Sequence, residues 1–298
     1  MELSGIHVAL TTPFANDGSV SVADLKHNIQ RYNGTELAGY VAIGSTGESV
    51  LLSRAEVEAV LVTVKEAAGK DKKLIAGTGA ESTAETIERT KLAAKLGYDV
   101  ALVKTPYYYK PSYKPDVLIA HYRRVADASP IPVMLYSVPQ FTGVALEAPE
   151  VAAMAGHPNI IGIKDSSGNV QRVAEMIAAT PSAFQVLVGA AATIYPSLAL
   201  GARGCILALA CALPEKCAAL FELVRKGQHE KARELQAVLV RASKLLVSEC
   251  GIAGVKYAMD QRGYRGGIPR LPLQPVNDEQ RKRIVQLLES LEPAVARA

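Results

Sequence analysis

A closed (β/α)8 barrel of the α/β class, followed by a C-terminal helical extension, is the fold this sequence predicts, and three observations predict it. Short apolar runs recur along the chain, each followed by a stretch with helical periodicity. Within the runs the apolar residues do not alternate with polar ones, as expected of strands covered on both faces. Helices between the strands imply parallel crossovers, and eight such units close most economically into a barrel.

The elements follow in order. IHVALTTPF precedes VADLKHNIQRYNG, GYVAIG precedes SRAEVEAVLVTVKEAA, and KLIAGTG precedes STAETIERTKLAAKLG. DVALVKTP leads into PDVLIAHYRRVADAS, and IPVMLYSVP into APEVAAMAGHP. IIGIKDSSG is followed by VQRVAEMIAAT, FQVLVGA by TIYPSLALG, and GCILALA by PEKCAALFELVRKG. The barrel is expected over residues 1–225, with the extension, packed on the barrel, over 226–298. In the extension, HEKARELQAVLVRASKLLVSECG carries Leu235, Leu239, Ala242 and Leu246 at helical spacing. Further helical stretches, VKYAMDQRGY and DEQRKRIVQLLESLEP, flank GYRGGIPRLPLQP, an ordered Gly/Pro-rich loop. An open doubly wound sheet is the rival, but no GxGxxG follows the first strand.

With 49% hydrophobic and 21% charged residues, the chain has the balance of a soluble folded protein rather than a disordered one. Its net charge of +4 is dispersed, so the basic stripe of a nucleic-acid binder is missing. Cys205, Cys211, Cys217 and Cys250 form no CxxC pair and suit buried thiols in a reducing compartment. The N-terminal residues lack the pattern of a secretory leader, and no apolar run approaches membrane length. A cytoplasmic location is expected. His7, His27, His121, His157 and His229 are scattered without HxH or HExxH spacing, so no metal is expected.

In such a barrel the reactive groups sit where the strands exit at their C-terminal ends. The polar exits are GSTGE (44–48), TPYYY (105–109), YSVPQFTG (136–143) and KDSSG (164–168). Lys164 ends an otherwise apolar strand, where an ammonium loses hydration unless a partner replaces it. Alternation sets it on one face with Gly162 and Ile160, with Ile163 and Asp165 on the other, so Asp165 is a poor partner. Gly162 is expected to leave room for the long side chain. A lysine freed of its proton by burial can form a Schiff base with a carbonyl substrate. Tyr136 leaves the neighbouring strand, about 4.8 Å away, within reach of that nitrogen as a proton donor and acceptor. Ser45 and Thr46 offer hydroxyls, and their turn offers backbone N–H groups to a carboxylate. Lys104, before a proline turn, and Lys256, in the extension, are rival amines. Glu48 could equally tie down backbone, and the tyrosine cluster could serve a subunit contact. The glycines of VGAAA and GARG could grip a phosphate or simply allow close packing.

GSTGE, TPYY, YSVP and IGIKDSSG, in this order and across the whole chain, resemble the pyruvate-dependent class I aldolase family of dihydrodipicolinate synthase and N-acetylneuraminate lyase. The resemblance implies a homotetramer of two tight dimers, a small 2-oxo acid substrate, and no metal or organic cofactor beyond a covalent imine between Lys164 and pyruvate. It implies Tyr136 as general acid/base, with Ser45 and Tyr108 completing a proton relay and Tyr108 reaching the partner subunit's site. Thr46 would hold the pyruvate carboxylate, and the backbone carbonyl of Ile206 would face the site. In the synthases the strand-five motif usually reads Tyr-Asn-Val-Pro followed by a carboxylate-binding arginine. Here Ser137 replaces the Asn, and Gln140 or Phe141 stands at the arginine position. Arg54 and Glu81 do not reproduce the synthases' regulatory pattern. YSVP followed by TG, HPNIIGIKDSSG and GIAGVKYAMDQRGYRGG are more similar to 4-hydroxy-2-oxoglutarate aldolases, which implies cleavage to pyruvate and glyoxylate. The synthase reaction, a sugar-acid aldolase or dehydratase, and a non-catalytic binding barrel are the alternatives.

Overall fold

Eight apolar strands laid edge to edge leave no unpaired edge only if the last pairs with the first. In a computed structural model that describes residues 1–291, the chain adopts this arrangement. The strands are β1 (Gly5–Ala9), β2 (Gly39–Ala42), β3 (Lys73–Gly77), β4 (Val100–Lys104), β5 (Val133–Ser137), β6 (Ile160–Asp165), β7 (Gln185–Val188) and β8 (Gly204–Leu207). Every neighbouring pair is parallel, and β8 returns to β1 with Gly204 opposite Gly5 and Ile206 opposite His7.

Around the barrel run α1 (Val22–Asn33), α2 (Arg54–Ala67), α3 (Thr83–Lys95), α4 (Pro115–Ala128), the short α5 (Pro139–Thr142), α6 (Ala148–Ala155), α7 (Val170–Ala179), α8 (Ile194–Ala199) and α9 (Pro214–Arg225). Short polar side chains start several of them. Ser53 and Glu56 form a reciprocal capping box on α2, while Ser82 and Asn169 cap α3 and α7.

Strand alternation divides the apolar residues into two packed layers. Ala9, Val41, Ile75, Leu102, Met134 and Leu187 fill the barrel, while Val8, Leu74, Val103, Ile163 and Val186 meet the helices. One strand departs from the expected alternation. The β5–β6 register shifts between Val133 and Met134, so Ile160 joins the outer layer and Ile161 packs on the inner one. A single extra residue in the ladder reverses the side chains before it and leaves Gly162 and Lys164 facing inward.

Beyond α9 the chain continues through α10 (His229–Ser243), a wider π-helical turn at Lys244–Glu249, α11 (Gly251–Gln261) and α12 (Asp278–Leu291). Gln236 of α10 ties this part to the barrel by donating to the Ala191 carbonyl at 3.0 Å and accepting from the Tyr195 amide at 2.7 Å. The loop between α11 and α12 bridges back to the segment that follows β1, with Ile268 paired to Phe14. All four cysteines are free. Among the described residues no helix is long and apolar enough to cross a membrane.

Candidate active site

At the C-terminal rim three long side chains stand on successive strands. Lys104 of β4 lies opposite Tyr136 of β5, and Tyr136 lies opposite Lys164 of β6. Each strand presents its residue to the interior through the parity set by Leu102, Met134 and Gly162. Lys164 is 5% exposed, and its Nζ lies 4.2 Å from the centre of the Tyr136 ring. The Tyr136 hydroxyl is in turn 3.4 Å from Ser45 Oγ. Among the described residues no carboxylate pairs with Lys164. Asp165 faces outward, held by Ser167 and lying 3.5 Å from Arg172 Nε. Burial there raises the Asp165 carboxyl above its ordinary range.

Room for Lys164 comes from a different glycine than expected. A Cβ on Gly162 would lie 2.2 Å from the Gln185 carbonyl oxygen, so that glycine serves the close approach of β7. Gly189 is the one beside the lysine, since a Cβ there would meet Ser166 Oγ at 1.9 Å and Lys164 Cε at 3.0 Å. This gives the glycine of VGAAA a packing role.

Across the rim, the GSTGE turn is bracketed by two residues with left-handed backbone, Ile43 at φ 58° and Glu48 at φ 54°. For a β-branched residue this costs on the order of 1–3 kcal/mol, so the surroundings must hold it. They do so through Glu48. Its carboxylate is 2.6 Å from Lys256 Nζ, with both side chains almost fully enclosed, and it accepts the Arg270 amide at 2.8 Å. Lys256 also donates to the Ile268 carbonyl at 2.8 Å and lies 4.5 Å from the Phe14 ring centre. Burial pulls the Lys256 amine down despite Glu48. This rival amine is therefore part of a buried ion pair that fixes the turn carrying Ser45 and Thr46. Both of those residues are half-buried, and the first amides of their 3-10 turn have no carbonyl within it to receive them.

The remaining candidates divide between the site and its periphery. Ser137 faces the helix layer and accepts from the Leu146 amide, so its difference from Asn does not reach the rim cavity. Gln140 donates to the Ser166 carbonyl at 2.9 Å. Phe141 is 66% exposed and lines a vestibule of about 310 Å³ with Val50, Tyr107, Ile252 and Leu273, into which Ser45 and Lys104 also open. Lys104 thus faces the cavity rather than the turn that follows it. Tyr108 is 73% exposed and stacks edge-on against Tyr109, away from its own chain's cavity. Glu81 accepts the Tyr107 and Tyr108 amides and so supports the tyrosine loop, while Arg54 begins α2. Ile206 is fully buried in the inner layer. His7, also in β1's inner row, is fully buried, with neither ring nitrogen hydrogen-bonded within the described residues. Burial lowers its pKa to about 4. Among the described residues no three metal-binding side chains converge.

A barrel with a buried, carboxylate-free lysine at the exit of its sixth strand, flanked by a tyrosine and a hydroxyl, defines a pyruvate-dependent class I aldolase that works through a lysine imine. The comparisons with known proteins agree. Residues 2–291 match the model of the dihydrodipicolinate synthetase family, and the chain belongs to that family. It is 38% identical over 286 residues to a 4-hydroxy-tetrahydrodipicolinate synthase of an Exiguobacterium species, covering 96% of this chain and 97% of that one. A protein of the same name from Methanothrix thermoacetophila is 36% identical, with 96% of each chain covered. Among solved structures, the Acinetobacter baumannii dihydrodipicolinate synthase complexed with pyruvate superposes with a TM-score of 0.91 at 34% identity, covering 96% of this chain and 98% of that one. These relatives carry the synthase name, which the sequence motifs had placed behind the 4-hydroxy-2-oxoglutarate aldolases.

Proposed function

We propose that the protein condenses pyruvate with L-aspartate 4-semialdehyde, the 4-hydroxy-tetrahydrodipicolinate synthase reaction, in the cytoplasm. The single observation that carries this reading is the set of full-length relatives bearing that name. In this reading the Lys164 amine attacks C2 of pyruvate, and the carbinolamine loses water with a proton supplied by Tyr136. A proton then leaves C3, the enamine attacks the aldehyde carbon, and Tyr136 protonates the new alkoxide. The amine of the aspartate semialdehyde portion then attacks the imine carbon, closing the six-membered ring, and the bond to Lys164 breaks with the amine's proton passing to the departing lysine nitrogen. Ser45, 3.4 Å from the Tyr136 hydroxyl, carries the proton onward to Tyr108 of the partner subunit. Exposure of the Tyr108–Tyr109 pair supports that crossing, and with it a tetramer of two tight dimers. Thr46 and the amides of its turn hold the pyruvate carboxylate, and the Ile206 carbonyl faces the imine.

A second reading, cleavage of 4-hydroxy-2-oxoglutarate to pyruvate and glyoxylate, is favoured by Gln140 and Phe141, which leave strand five without a carboxylate-binding cation. Both readings share the imine. Borohydride reduction in the presence of pyruvate, read by intact mass and peptide mapping, should leave a reduced pyruvyl group on Lys164 and none in Lys164→Ala. Turnover with aspartate semialdehyde and with 4-hydroxy-2-oxoglutarate then separates the readings. A folded protein that takes up no pyruvyl group would remove both.

A further inference from the structure

Strand five supplies no cation to the aldehyde end, yet strand four does. Lys104 is the last residue of β4, opposite Tyr136 in register and half-buried. It lines the narrow inner cleft with Ser45 and Tyr136, and it also lines the vestibule with Tyr107 and Phe141. It therefore stands where the two spaces join, on the far side of Tyr136 from Lys164.

Its ammonium is held but not neutralised. Nζ donates to the Gly79 carbonyl at 3.0 Å and lies 5.1 Å from the centre of the Tyr107 ring. An ammonium has three donors, so hydrogen-bonding capacity is left for a ligand. Among the described residues no carboxylate lies within ion-pairing distance. Glu81, the acid whose charge acts on it, is already engaged by the Tyr107 and Tyr108 amides, and Arg89, which also lines the inner cleft, is paired with Glu85 at 2.9 Å. A cation kept in a cleft without a paired acid is ready for an anionic ligand.

The spacing suits one. Two strand steps separate Lys104 from Lys164, roughly 10 Å between their backbones. In a 4-hydroxy-2-oxo dicarboxylate the distal carboxyl carbon lies three bonds, roughly 4 Å, beyond the imine carbon. A carboxylate at that reach from an imine on Lys164 is within the span that the two side chains bridge across Tyr136.

We propose that Lys104 binds the carboxylate of the aldehyde partner, replacing from strand four the arginine that strand five lacks. This rests on the pyruvate reading above and names the residue that selects an anionic aldehyde over a neutral one. It applies to glyoxylate, for which that spacing was reckoned, and to aspartate semialdehyde, whose carboxylate lies two bonds further out, towards the vestibule.

The test compares wild type, Lys104→Met and Lys104→Arg. Borohydride trapping with pyruvate comes first, and all three should form the adduct on Lys164, which also shows that each variant is folded around its site. Steady-state kinetics then follow with aspartate semialdehyde, glyoxylate and glycolaldehyde, the neutral counterpart of glyoxylate. For the anionic aldehyde that wild type uses best, we expect Lys104→Met to lower the ratio of its kcat/KM to that for glycolaldehyde about ten- to a hundredfold, the worth of one charge-assisted hydrogen bond. The loss should fall mainly on KM, and Lys104→Arg should keep most of the ratio. Normal trapping with an unchanged ratio in Lys104→Met, or a wild type that prefers glycolaldehyde to both anions, overturns the proposal while leaving the imine chemistry intact. Failure of wild type to form the adduct overturns the pyruvate reading itself, and this proposal with it.

Discussion

Lys164 on β6 and Lys256 on α11 are both nearly fully buried, 5% and 1% exposed. Their surroundings are opposite. Lys256 lies against the Glu48 carboxylate at 2.6 Å, the Ile268 carbonyl and the Phe14 ring, so its charge is matched and its position fixed. Lys164 has a tyrosine ring beside it and, among the described residues, no acid paired with it. A buried amine with its own counter-ion is committed to structure, whereas one without is available to a carbonyl carbon. The difference lies in the partner, since burial is common to both.

Exchange at these two positions gives the sharpest contrast. Lys164→Ala should reduce pyruvate-dependent turnover by about four orders of magnitude or more, because it removes the amine that forms the imine. Its unfolding free energy should fall by less than that of the Lys256 variant, since the lost packing of the buried stem is offset by removal of an amine that no carboxylate compensates. Denaturant titration beside a turnover assay measures both. A stability loss comparable to that of the Lys256 variant would break the contrast.

Lys256→Met should instead cost about 3–5 kcal/mol, because it strands the Glu48 carboxylate in a closed site. Adding Glu48→Gln should recover part of that loss, which a double-mutant cycle would read. Recovery of nothing would mean that the pair is not coupled.

The smallest effect concerns His7, a third buried titratable group in the same barrel. It is held neutral, with its pKa lowered from 6.5 to about 4. Between those values the unfolded chain binds the proton and the folded one does not, so His7 makes stability fall as pH drops from about 6.5 towards 4. Above 6.5 it contributes no pH dependence. His7→Leu should flatten that part of the stability profile, measured by chemical denaturation at stepped pH, with a residual slope from His121, also lowered to about 4.

The inward residues of the rim were legible in the sequence because parallel neighbours keep a fixed spacing. Once Lys164 and Tyr136 are read at adjacent strand exits, their proximity follows, and Ser45 completes the group from strand two. Lys104 could have been reached by the same counting, since it lies two residues after Leu102, but the proline that follows directed attention to the turn. Other features depend on contacts that no local pattern encodes. The Glu48–Lys256 pair joins distant segments, and the choice of Gly189 over Gly162 depends on how closely β7 approaches. The inversion of Ile160 comes from one irregular step in the ladder with β5. Ser137 looked like a substrate-end difference only until alternation turned it towards the helices.

The clamp on Glu48 also has a history in time. Its partner amide at Arg270 lies 222 residues later in the chain. At ribosomal rates of about 5–20 residues per second, Glu48 is synthesised roughly 10 to 45 s before that partner exists. The turn with Ser45 and Thr46 is made early and cannot be secured until Lys256 and Arg270 have been made. A nascent chain stalled before Lys256 therefore holds every strand of its barrel but not the lock on the turn that carries Ser45 and Thr46.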